Sequence, residues 1–167
     1  MRRLTILLLA VLGVGLLPTF PASARGDGWE FLPSGEITTP ACGTVIQETI
    51  AANKEYAKFA VDGDGVLHFV LVTGVFKVKV TNIETGSSIV VNASGTGHDA
   101  LLYPNGDFVF TSAGPSLIVQ SEEQAAETGL PTLFLNSGNM VIVFKGDGSA
   151  ELRLRTGRLT DLCPLIT

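Results

Sequence analysis

From Thr44 onward, apolar side chains recur at every second position rather than at helical spacing. In "FKVKVTN", Phe76, Val78 and Val80 alternate with Lys77, Lys79 and Thr81, and in "AELRLRT", Leu152 and Leu154 alternate with Glu151, Arg153 and Arg155. A period of two puts one face of a segment on a core and the other in water, which is the signature of antiparallel strands. Runs such as "SLIVQ", "MVIVF" and "VLHFVLV" lack the polar partner and suit strands covered on both faces. The pattern predicts ten or eleven strands, near 44–50, 55–62, 65–73, 75–82, 87–94, 99–103, 107–113, 116–120, 132–136, 139–145 and 149–156.

The punctuation between these runs is turn chemistry. "DGDG" at 62–65, "ETGS" at 84–87, "PNGD" at 104–107, "NSGN" at 136–139 and "KGDGS" at 145–149 each separate two strand-like runs. Asn-Gly and Asp-Gly accept the positive φ that tight hairpins demand. Repeated hairpins at a spacing of about ten residues predict an all-β fold. The expected architecture is a single antiparallel meander of about ten strands, closing as an up-and-down barrel or a barrel-like sandwich. One stretch breaks the rhythm. In "SEEQAAETGLP", Ser121 is placed to cap, Gln124 follows three residues later, and Gly129 and Pro131 stop the run, so a short helix is expected near 121–128. It is expected to cross between parts of the sheet or to cover an open end.

The N-terminus has a different design. Arg2 and Arg3 precede an uncharged apolar run from Leu4 to Leu17, and "PTFPASA" ends in small residues with Ala22 and Ala24 in an A-x-A arrangement. These three parts make a secretory signal peptide over residues 1–24, cut after Ala24. The run of about 14 residues falls short of the roughly 18–20 that a membrane span needs. Residues 25–41, with Trp29 and Phe31, show no period and read as an extended N-terminal arm tucked against the β domain of residues 42–167. Cleavage removes two arginines and no acid, which leaves nine basic against sixteen acidic side chains. An excess of acid on this scale argues against a nucleic-acid backbone or an anionic membrane as partner. No further apolar run is long enough for an integral membrane segment in the mature chain.

Export bears on the cysteines. Cys42 and Cys163 are the only two, and an oxidising compartment permits one intrachain pairing. A Cys42–Cys163 bond would clasp the start of the β domain to its end, closing a loop of about 120 residues worth roughly 4–5 kcal/mol in the chain-entropy picture. A disulfide-linked dimer and two free thiols are the alternatives. The spacing offers neither a C-x-x-C redox pair nor a metal-ligand pattern.

Chemistry-bearing motifs are sparse. "RGD" at 25–27 matches an integrin-binding tripeptide but opens the mature chain rather than crowning a constrained loop. "DGDG" resembles the start of a calcium loop, yet the oxygen ligand needed at position 66 is Val66 and the Glu needed at position 73 is Thr73. It could share a carboxylate site with "GDG" at 146–148 if the two turns lie at one end, although two hairpin turns explain the same residues. "NAS" at 92–94 fits a glycan acceptor or a plain strand end. His68 lies in an apolar strand, on its exposed or half-buried face, and His98 adjoins Asp99 in a glycine-rich turn. His98, Asp99 and Tyr103 are therefore the candidate polar site. No serine sits in G-x-S-x-G, and no histidine pair has zinc spacing. No catalytic residue, metal or cofactor is implied.

"NKEYAKF", "SGTGHDALLYPNGDFVFTSAGPSLIV" and "GRLTDLCPL" together resemble a family of small secreted actinobacterial β-rich proteins of unknown function. Cys42-Gly43-Thr44, the segment Asn92–Gly95 and Cys163 fall where that family carries a Cys-Gly-Thr opening, an N-x-S-G segment and a C-terminal cysteine. The resemblance implies a secreted β fold with a terminal disulfide and brings no catalytic residues. Three functions are consistent with these residues. The first is a secreted, non-catalytic binding or surface-interaction module, with a cell-envelope component as partner. The second is a carrier of a small apolar ligand inside a barrel, and the third is a hydrolase or isomerase on that scaffold.

Overall fold

A computed structural model describes residues 29–31, 35–95 and 100–167, with the backbone alone for 69–73. The expected signal peptide, His98 and Asp99 lie outside the described residues. Fourteen strands and one short α-helix are present among them: β1 Glu30–Phe31, β2 Ile37–Ala41, β3 Thr44–Asn53, β4 Tyr56–Val61, β5 Leu67–Thr73, β6 Phe76–Asn82, β7 Ser88–Asn92, β8 Ala100–Leu102, β9 Phe108–Ser112, β10 Pro115–Val119, α1 Glu122–Thr128, β11 Leu133–Ser137, β12 Met140–Phe144, β13 Ala150–Arg155 and β14 Arg158–Asp161. Every expected strand is found. The aperiodic arm additionally supplies β1 and β2, and β14 follows the last expected strand.

Among the described residues the strands form three antiparallel sheets and no closed ring. One has seven strands in the order β1-β4-β5-β8-β9-β12-β13, one has four in the order β2-β3-β6-β7, and one has three in the order β10-β11-β14. Consecutive strands pair only alternately, because the chain runs as seven long arms, each broken near its middle. β3 and β4 make one arm, β5 and β6 the next, and so on to β13 and β14. The first half of an arm joins one sheet and the second half another. Of the five turn motifs, four are true hairpins, joining β4–β5, β6–β7, β8–β9 and β12–β13. The fifth, "NSGN", is a break inside an arm: β11 pairs with β10 and β14, and β12 with β9 and β13. The expected single sheet is thereby split along a crease.

Glycine makes the crease possible. Gly74, Gly114, Gly138 and Gly157 sit at breaks, and Gly114 and Gly138 exchange backbone hydrogen bonds of 3.1 and 3.3 Å across neighbouring arms. A Cβ on Gly138 would meet Thr156 O at 2.3 Å, and one on Gly157 would meet Ser137 O at 2.2 Å. Arms approach here closer than any side chain allows. Prolines obey the complementary rule, since Pro40 and Pro115 fall on β2 and β10, the edge strands of their sheets, where a missing N–H breaks no ladder.

Two apolar clusters fill the interior. Ile46, Val78, Val80, Val91, Leu117, Val119, Leu133 and Ile166 form one between the four- and three-stranded sheets. Phe108, Phe110, Ile118, Phe134, Met140, Ile142 and Phe144 form the other, between the three- and seven-stranded sheets. Alternation along β10 and β11 explains both: odd positions enter the first cluster and even positions the second, so the run "SLIV" is covered on both faces, as its sequence implies. Burying a residue such as Phe134, fully inside, stabilises by about 2–3 kcal/mol. Trp29 and Phe31 hold β1 against β4, through the Lys58 ammonium 4.9 Å from the Trp29 ring and an edge-on Phe31–Tyr56 contact of 5.8 Å.

Helix α1 begins with the expected capping box, in which Ser121 Oγ accepts from Gln124 N and Gln124 Oε1 accepts from Ser121 N. Gly129 closes it in the left-handed conformation. It connects two paired strands of the same sheet and reaches to β13, where Ala150 N donates to Glu127 Oε2 at 2.6 Å and Gln124 Nε2 to Gly148 O at 3.2 Å. No helix among the described residues is long and apolar enough to cross a membrane.

Candidate functional site

Cys42 and Cys163 are joined, with Cα atoms 5.2 Å apart and a sequence separation of 121. The bond lies beyond the ends of β2 and β14. Around it, Thr132 Oγ1 accepts from Cys42 N at 2.9 Å, and Asp161 Oδ1 accepts from Cys163 N at 3.0 Å. Asn82 fastens the C-terminal segment: its Nδ2 donates to Ile166 O at 3.1 Å, while its Oδ1 accepts from Glu84 N and Thr85 N. Ile166, fully buried, fills the end of the first apolar cluster. A disulfide fits an oxidising, extracellular setting.

Of the candidate polar trio, only Tyr103 is described. It is exposed beside the β8–β9 turn, where its backbone N–H donates to Asp107 O at 2.9 Å. His68 is half-exposed and pairs with Asp62 across the β4–β5 turn, Nε2 to Oδ2 at 3.0 Å. The other oxygen of Asp62 accepts from Asp64 N and Val66 N. The His68 side chain first, then the Val66 N–H, hold the Asp62 carboxyl below its ordinary range.

The "DGDG", "PNGD" and "KGDGS" turns do neighbour one another at one end of the seven-stranded sheet. Asp107 Oδ1 accepts from Gly146 N at 2.8 Å, and a Cβ on Gly65 would touch the Pro104 ring at 3.7 Å. The carboxylates of Asp62, Asp107 and Asp147 are nevertheless engaged by turn backbone and neighbouring side chains. Asp147 accepts from both Ser149 N and Ser149 Oγ, the hydroxyl being the larger cause of its lowered pKa. Among the described residues no group of three or more His, Cys, Asp or Glu side chains could hold a metal. Asp62, Asp107 and Asp147 serve their turns.

The unusual titratable groups are ones the sequence reading passed over. Glu48 is 7 % exposed, on the inner face of β3 with Ile37 and Val80 directly opposite, and its Oε1 has no hydrogen-bond partner in the protein. Burial pushes its carboxyl up to about 7. Glu55, at the break between β3 and β4, is 5 % exposed and is pushed up to about 7 for the same reason. Glu48 was detectable, because it shares the parity of Ile46 and Ile50 in "IQETI" and so stands on the apolar face. Glu55 falls in a break, where alternation carries no information.

The outer face of the four-stranded sheet is of another kind. Thr38, Gln47, Thr81 and Ser88 stand opposite one another in direct register across β2, β3, β6 and β7. The next rank carries Thr49, Lys79 and Val90, the last 58 % exposed. Lys77 and Asn92 follow in a further pair. Hydroxyl, amide and ammonium groups thus project from one pleated surface.

Comparisons of the chain with protein-family models, with curated proteins and with solved structures return no match.

Proposed function

We propose that the protein is an exported, non-catalytic interaction module that binds a hydroxyl-rich polymer of the cell envelope. The creased sheets stack as a sandwich that presents the outer face of β2-β3-β6-β7 to the partner. The observation that carries this reading is the cross-strand rank Thr38–Gln47–Thr81–Ser88, four uncharged hydrogen-bonding side chains at the spacing of adjacent strands. Lys77 and Lys79 lie to one side of it and favour acidic groups on the polymer, against the net negative charge of the chain, while Gln47 Nε2 donates to the neighbouring Glu36 carboxylate. Co-sedimentation of the purified protein with insoluble envelope material tests the idea. The variant Thr81→Ala/Lys79→Glu is expected to bind at least about tenfold more weakly, the loss of roughly 1.4 kcal/mol or more, with an unchanged melting temperature. Equal binding by the variant, or none by the wild type, overturns it.

Glu48 favours a second reading, a carrier of a small, mainly apolar ligand. A neutral carboxyl on an apolar inner face is the kind of isolated polar group that orients such a molecule. Native mass spectrometry of the secreted protein separates the two, since a carrier shows a bound small-molecule mass that is lost in Glu48→Leu.

A further inference from the structure

Two buried oxygens find no partner in the protein where the three- and seven-stranded sheets meet: Ser112 Oγ and Asn136 Oδ1. Ser112 is 1 % exposed and Asn136 0 %. Strand parity places both on the same side. Phe108 and Phe110 precede Ser112 on the inward face of β9, while Phe134 precedes Asn136 on the matching face of β11, and all three phenylalanines belong to the second apolar cluster. Ser116 is 5 % exposed, lies directly opposite Asn136, and shares the parity of Ile118 in that cluster. Gly114 and Gly138, whose backbones are hydrogen-bonded to each other, mark the crease between Ser112 and Ser116 on one arm and between Asn136 and Met140 on the next. The apolar rows of both sheets therefore end in hydroxyl and amide groups at the inner angle of the bend.

We infer that this angle is an internal hydration site, in which a buried water molecule bridges Ser112 Oγ and Asn136 Oδ1. Asn136 Nδ2 already donates to Gly138 O at 3.2 Å, so the side chain is oriented with its oxygen toward the angle. That oxygen only accepts, and the bridging species must donate to it; the Ser112 hydroxyl takes either role. Water satisfies both and has capacity left for Ser116. A metal ion would exchange its hydration shell for neutral oxygens surrounded by Met140, Ile118 and Phe134, without a carboxylate, which is unfavourable. Leaving both oxygens unpaired costs more than immobilising one water. The water holds the two sheets at their angle from inside, as the glycine contacts do from the backbone.

A high-resolution crystal structure of the full chain, joined to water-selective NMR on the same protein, tests the inference. The expected result is a well-ordered peak about 2.7–3.2 Å from both oxygens and a long-lived water cross-peak at the Asn136 side-chain amide. A dry angle, or a direct Ser112–Asn136 hydrogen bond, overturns it. Ser112→Ala should abolish the cross-peak and lower the melting temperature by about 2–4 °C, whereas a melting temperature equal to or above that of the wild type shows Oγ to be dispensable and also overturns it. The wild-type measurements stand even if the variant fails to fold.

Discussion

Ionising Glu48 inside the four-stranded sheet places a negative charge opposite Ile37 and Val80, away from water. In the unfolded chain this carboxyl titrates near 4.5, and in the fold near 7. Below the lower value both states hold the proton and the fold carries no penalty. As pH rises from about 4.5 to about 7 the folded state alone clings to its proton, so stability falls across that window and levels off above it. Glu55 behaves in the same direction. Each shift corresponds to stability on the order of 3 kcal/mol. The melting temperature should therefore be higher at pH 5 than at pH 8. Glu48→Gln should raise stability at pH 8 and flatten the profile, as read by thermal denaturation across pH. An unaltered profile in that variant would show that Glu48 is solvated. Asp62 and Asp147, held low by hydrogen bonds, work in the opposite sense, and only once pH drops below the ordinary carboxylate value of 3.8.

At the scale of strands and turns, spacing and composition carried a great deal. Eleven segments could be placed within a few residues because each alternates or runs apolar between glycine, asparagine and aspartate. Pairing was less legible. "NSGN" and "PNGD" offer the same turn chemistry, yet only the second closes a hairpin; what separates them is the contact of Gly138 with the Thr156–Gly157 backbone of another arm, which no local window contains. Strand β2 was hidden by Pro40 and by three residues, Thr38 to Pro40, without a large apolar side chain, and it holds because an edge strand tolerates both. The contact at Gly157 makes a sharp comparison possible. Gly157→Ala faces both a positive φ of 80° and a backbone oxygen 2.2 Å from the new carbon, whereas Gly86→Ala meets φ 76° with open space around it. The first should cost roughly 3 kcal/mol or more and the second about 1 kcal/mol, measured by urea denaturation. Comparable losses would mean that the arms are not so close. Ser121→Ala removes one half of the capping box and should cost about 1 kcal/mol, with the strands untouched in the far-ultraviolet spectrum.

Over the whole molecule, the clasp between Cys42 and Cys163 encloses nearly all of the folded chain. Its removal by reduction, or in Cys42→Ser/Cys163→Ser, is expected to lower stability by about 4–5 kcal/mol on the chain-entropy account, seen as an earlier urea midpoint. Asn82 and Ile166 should keep the C-terminal segment in place in the reduced protein under native conditions, because their contacts do not depend on sulfur. The ends were readable from the sequence, two cysteines in a chain expected to be exported leaving few options. The candidate trio of His98, Asp99 and Tyr103 contributes one described residue, at an exposed turn. The buried acids, the outer rank and the orphaned oxygens at the bend emerge only when distant arms are set side by side.

Because each arm leaves one sheet and enters another, any cut between β1 and β13 divides the seven-stranded sheet. A fragment ending at residue 95 would carry the whole four-stranded sheet with its apolar side bare, and only β1, β4 and β5 of the seven-stranded one. Each piece would expose its side of the first apolar cluster, so the two are expected to unfold together.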